Sequence, residues 1–92
     1  MIVGSVKVRL LLRQARTLKD KRQVVQSIKD RLRNGFHVAV AEVDELDNPR
    51  LAVLGVALVG AEAYPVRTTL QKVVEALRSH PVAEFLDHEM EV

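Results

Sequence analysis

Apolar residues in this chain recur with a period of two, then of about 3.6, then of two again, and that alternation runs through twice. Such a rhythm dictates the order strand, helix, strand, strand, helix, strand. From Ile2 to Leu12 the even positions read Ile, Gly, Val, Val, Leu, Leu, while the odd ones include Ser5, Lys7 and Arg9. One face of the first strand is therefore buried and the other is polar. Thr17 offers an N-cap oxygen, and Asp20 three residues on resembles the acidic member of a capping box, so a helix begins there. Leu18, Val25, Ile28 and Leu32 form its apolar stripe, and Asn34-Gly35 supplies a left-handed residue to close it.

Phe36 to Asp44 reads as the second strand, with its inward face open between Val38/Val40 and Ala39/Ala41/Val43. The turn formers Glu45-Leu46-Asp47-Asn48-Pro49 join it to a third strand, Arg50 to Val59, as a hairpin. Both faces of that strand are apolar, which places it inside the sheet. Tyr64-Pro65 suits a helix start, Val66, Leu70, Val73, Val74 and Leu77 make the buried stripe, and Ser79-His80-Pro81 ends it. In the fourth strand, Val82 to Val92, Leu86, Met90 and Val92 alternate with Phe85, Asp87, Glu89 and Glu91, with His88 on the apolar parity.

Two β-α-β units with amphipathic helices predict an α+β, ferredoxin-like βαββαβ fold, one domain over residues 1–92. Its four-stranded antiparallel sheet should run in the order 4-1-3-2, with both helices on one face and the acidic strands at the edges, where charge discourages pairing between molecules. The absence of cysteine excludes disulfides, thiolate metal sites and cysteine nucleophiles. Ser5, Lys7 and Arg9 interrupt the N-terminal apolar run, unlike a signal peptide, and no run approaches the roughly 20 residues of a membrane span. The expected location is the cytoplasm, with no membrane partner.

Charge is distributed unevenly. Residues 1–35 hold ten Lys/Arg against Asp20 and Asp30, a balance of +8, and residues 36–92 hold four against ten acids, a balance of −6. Either an anionic partner meets the basic part or the two parts neutralise each other in the fold.

The run Thr17-Leu18-Lys19-Asp20-Lys21-Arg22, with Ala41-Glu42-Val43-Asp44 and the opening Met1-Ile2-Val3-Gly4, resembles the bacterial YlxP-like family, known as domain of unknown function 503. The likeness covers essentially the whole chain. It implies a ferredoxin-like fold, a cytoplasmic location and gene neighbourhoods shared with ribosome-maturation and translation-initiation factors. It implies no activity, catalytic residue or cofactor.

Lys19, Lys21 and Arg22 fall in the first turn of a helix, where the backbone dipole disfavours cations by roughly 0.3–1 kcal/mol each. A cluster set against that preference suggests an anion held by free N–H groups and cations together, with Arg13 and Arg16 contributing from the preceding loop. Lys19, Arg22, Gln26, Lys29 and Arg33 trace a stripe about 100° around the axis from the apolar one, placed to track a phosphate backbone. The other reading of both features is a solvated, charged surface. Lys7 and Arg9 are expected to pair across strands with Asp87, Glu89 and Glu91.

Only Phe36, Tyr64 and Phe85 are aromatic, so the sheet lacks the paired stacking rings of an RNA-recognition motif. RNA contact should run through the first helix and the loop leading into it. Acylphosphatases share this fold and size, but the loop Leu12-Arg13-Gln14-Ala15-Arg16 has no glycine and the third strand no asparagine. The histidines 37, 80 and 88 have no metal-ligand spacing, and no nucleophile constellation is present. Glu42, Asp44, Glu45 and Asp47 read as a solvated strand end before they read as a Mg²⁺ site. His80 should favour a helix C-terminal dipole. The apolar second face of the third strand predicts a homodimer through the open sheet face, involving Leu11, that strand and Phe85.

The sequence thus points to a non-catalytic accessory protein, without metal or cofactor. Its expected partner is RNA, ribosomal in the first instance, contacted through Arg13, Arg16, Lys19, Lys21, Arg22, Lys29 and Arg33. The competing partner is an acidic protein factor.

Overall fold

A computed structural model describes all 92 residues. Its elements are β1 (Ile2–Leu11), α1 (Leu18–Phe36), β2 (Ala39–Asp44), β3 (Leu51–Gly60), α2 (Ala63–Arg78) and β4 (Glu84–Glu91). The four strands form one antiparallel sheet in the order β2-β3-β1-β4, which is the expected 4-1-3-2 read from the other edge. The fold is α+β and ferredoxin-like. Neither helix is long and apolar enough to cross a membrane.

Alternation in β1 sends Val6, Val8 and Leu10 into the core, and β3 sends Ala52, Leu54 and Val56 to the same side. Val25, Ile28 and Leu32 of α1 and all five stripe residues of α2 close over them. Burying a side chain of this size stabilises by roughly 1.5–3 kcal/mol relative to leaving it exposed. The open register of β2 resolves to Val38 and Val40, both buried, while Ala39, Ala41 and Val43 lie on the uncovered face.

Three local expectations are corrected. Helix α1 does not close on Gly35: it runs on to Phe36, and His37 takes the left-handed conformation at φ 55°. In β4 the register shifts between Arg9 and Leu10 of its partner, so that Arg9 faces Asp87 but Leu10 faces Phe85. That bulge at Leu86 rotates Phe85 to the helix side, where it packs against the core. His80 does not serve the helix dipole as a cation, because burial first and the charge of Arg31 second push its pKa down. Its Nδ1 instead accepts a hydrogen bond from the Val82 N–H.

The uncovered face is less apolar than expected. Val43 leans across Gly55, where an added Cβ would lie 2.9 Å from its Cγ1, so only glycine leaves room. Val53, although on this side, is 3% exposed between its cross-strand neighbours Arg9 and Asp44. With Phe85 turned away, the expected self-association face contracts to a patch that includes the cross-strand pair Val3 and Val59, 55% and 64% exposed.

Candidate nucleic-acid interface

The loop from β1 to α1 is pinned at both ends. The Leu12 N–H donates to the Arg50 carbonyl at 2.7 Å, the Ala15 N–H donates to the Leu12 carbonyl, and Ala15 is buried in the core. Arg13 and Gln14 between these anchors, and Arg16 just past them, are exposed. At Thr17 the capping box forms in full: the Thr17 hydroxyl accepts from the Asp20 N–H, and Asp20 Oδ2 accepts from the Thr17 N–H and the Arg16 N–H. These two backbone bonds, that from Arg16 the larger, hold the Asp20 carboxyl below its ordinary pKa.

This cap alters the anion cradle expected at the helix start. The Asp20 N–H of the first turn serves the Thr17 hydroxyl, and the Arg16 and Thr17 N–H groups just ahead of the helix serve the Asp20 carboxylate, whose negative charge stands where an anion would approach. The stronger attraction for an anion then lies with the side chains along the helix flank.

Lys21 is removed from that flank altogether, a correction to its expected role as a phosphate contact. It is 1% exposed. Its ammonium donates to the Glu45 carbonyl at 2.8 Å and the Leu51 carbonyl at 3.1 Å, and lies 2.7 Å from Glu42 Oε2. That oxygen is buried and accepts no well-aligned hydrogen bond, so its contact with Lys21 is electrostatic. The sequence carried the signal. Lys21 falls three residues after Leu18 and four before Val25, on the apolar stripe, and Glu42 shares the inward parity of Val38 and Val40. A lone cation and a lone carboxylate on two buried faces belong together.

The remaining cations divide sharply. On the open sheet face Arg9 bonds Asp87 at 2.6 Å, and Lys7 lies 3.9 Å from Glu89, the cross-strand pairing expected of them. Arg13 donates from Nε to Glu84 at 2.7 Å, and this bond raises its pKa. Arg33 donates to the Val40 carbonyl on the edge strand at 3.0 Å. Arg16, Lys19, Arg22 and Lys29 have no carboxylate within ion-pairing distance, and neither do Arg31 on the same helix, Arg50 in the β2–β3 loop or Arg67 and Lys72 on α2. The structure therefore assembles the helix flank of the expected site and detaches Lys21 and, by pairing it, Arg13.

Fold and surface together define a small ferredoxin-like α+β domain that carries most of its unpaired positive charge on its first helix. The family model described as "Protein of unknown function (DUF503)" matches residues 3–90, and the chain belongs to that family. It is similar to the "Uncharacterized protein YlxP" of Bacillus subtilis (strain 168), 28% identical over 83 residues that cover 90% of each chain.

Proposed function

We propose that this domain is a non-catalytic accessory protein that holds RNA through its phosphates, along the flank of α1 and the loop leading into it. The observation that carries the reading is the row Lys19, Arg22 and Lys29 on one flank of α1, with Arg16 just before it, none at ion-pairing distance from a carboxylate while Lys7, Arg9, Arg13 and Lys21 are. Lys19 and Lys29 stand about 15 Å apart along the helix axis at 1.5 Å per residue. Over that length a duplex carries one charge per roughly 1.7 Å, so several phosphates fall within reach.

Contacts of this kind position RNA without reading its bases, so binding is expected to be tolerant of sequence and steeply dependent on salt. The link to ribosome maturation or translation comes from the gene company implied by the family resemblance.

The test is a salt series with bulk ribosomal RNA. Every phosphate that a cation ceases to neutralise lowers the log–log slope by about 0.7–0.9. The triple variant Lys19→Ala, Arg22→Ala, Lys29→Ala should flatten the slope by about 2–3, whereas Lys7→Ala should leave it unchanged. Wild-type protein that shows no salt-dependent RNA binding, yet retains an acidic protein partner, would overturn this reading in favour of protein docking.

A further inference from the structure

A cleft of about 530 Å³ opens at the end of the sheet where the β1–α1 loop meets the turn from α2 to β4. Its volume lies within the roughly 300–1,000 Å³ of small-ligand sites. Its walls include Arg13, Gln14, Arg78, His80, Glu84 and Phe85. None of the unpaired α1 cations lines it, so it is a separate feature of the surface.

Its distinguishing element is a cation–π pair, whose arginine also lies 3.6 Å from Glu75 through Nε. The Arg78 guanidinium lies over the Phe85 ring, 4.3 Å from the centroid, and half of the Arg78 side chain is exposed. Phe85 reaches that position only because the β4 bulge turns it to the helix side. A guanidinium held against a ring on one side, and exposed on the other, offers a planar, charged group on which a base can stack. Arg13 is fixed in the same wall by Glu84, and no protein donor reaches the second oxygen of Glu84. Because His80 Nδ1 accepts from Val82, the ring proton sits on Nε2 as a donor. Gln14 adds an amide that both donates and accepts.

A phosphate would meet the Glu84 carboxylate in this cleft. A base would meet a stacking plane, with donors and acceptors around its rim. We infer that the cleft receives one unpaired RNA base, stacked on the outer face of the Arg78 guanidinium. This deepens the RNA reading above and rests on it. The β1–α1 loop connects the two features: Gln14 lines the cleft, and Arg16, two residues on, begins the unpaired cations. A strand whose phosphates follow α1 can thus place a base in the cleft where it is not paired.

The experiment compares the intact domain binding a labelled single-stranded RNA with its binding of a blunt duplex of the same sequence, by fluorescence anisotropy at fixed salt. Arg78→Lys keeps the charge and removes the plane. It should weaken single-strand binding by about five-fold or more, the lower end for one stacked base, and leave duplex binding unchanged. Lys19→Ala with Arg22→Ala should weaken both. In a parallel amide-shift titration, adenosine monophosphate should move Gln14, Arg78, Val82 and Phe85.

Equal weakening of both RNA forms by Arg78→Lys would mean a phosphate contact and would overturn the base pocket. So would no weakening at all, or amide shifts confined to α1, while the phosphate reading stood. If wild-type protein bound neither RNA form even at low salt, the phosphate reading would fall first and the pocket with it.

Discussion

Strand β1 and helix α1 both carry conspicuous positive charge and dispose of it in opposite ways. Lys7 and Arg9 of β1 each find a carboxylate on β4. On α1 Lys19, Arg22 and Lys29 find none, and yet Lys21, in the same turn as two of them, is buried against Glu42. A cation's role here follows from what the fold sets opposite it. Of the acidic residues in the second part of the chain, Glu84, Asp87 and Glu89 of β4 pair with β1 and its following loop and Glu42 with buried Lys21, while none comes within ion-pairing distance of the outer flank of the helix.

The sharpest way to break this comparison is Lys21→Met. It leaves the Glu42 carboxylate and two carbonyls without their donor, and losing one member of a buried pair costs about 3–5 kcal/mol. Urea denaturation should show that loss, and adding Glu42→Leu should restore much of it. Alanine at Lys19 should change stability by no more than about 0.5 kcal/mol, as exposed substitutions usually do. If the Lys21 variant melted like the Lys19 variant, the division between buried and surface cations would collapse.

Thr17→Ala should cost about 1 kcal/mol through loss of the cap. The same cap predicts a pH dependence. The Asp20 carboxyl is held below its ordinary value in the folded state, so its contribution is full above the unfolded pKa of roughly 3.9 and is lost as pH falls through the lower folded value. Thermal melts from pH 6 down to about pH 2 should therefore show a decline in the wild type that Asp20→Asn reduces. The coupling between Arg9 and Asp87 is smaller than the effect of the cap. A double-mutant cycle should give about 0.2–1 kcal/mol, since both side chains are near half exposed. A coupling well above that range would mean that β1 and β4 depend on their charges and not on packing alone.

Much of the architecture is legible because it rests on local periodicity. The buried stripe of α2, the alternation of β1 and the cap at Thr17 all follow from residues within a few positions of each other. What sequence reading misses depends on distant partners or on one extra residue. A strict period of two puts Phe85 on the open face because it cannot register a bulge. Glycine preference puts the helix stop at Gly35, whereas the left-handed residue is His37, one position beyond the observed helix end. The candidate site is legible as a set of charges, but not in its division, because Arg13 and Glu84 are 71 residues apart.

Arg33 bears on how the molecule behaves in a crowd. Strand β2 is a rim of the sheet, and its backbone is where a neighbouring chain would start to zip on. Arg33 reaches over from the helix and ties up the Val40 carbonyl, so a newcomer must displace a charged side chain before its first amide can dock. The small, Ala-rich rim strand is thereby shielded from ribbon-like stacking into aggregates, a safeguard supplied by the helix and not by the strand itself.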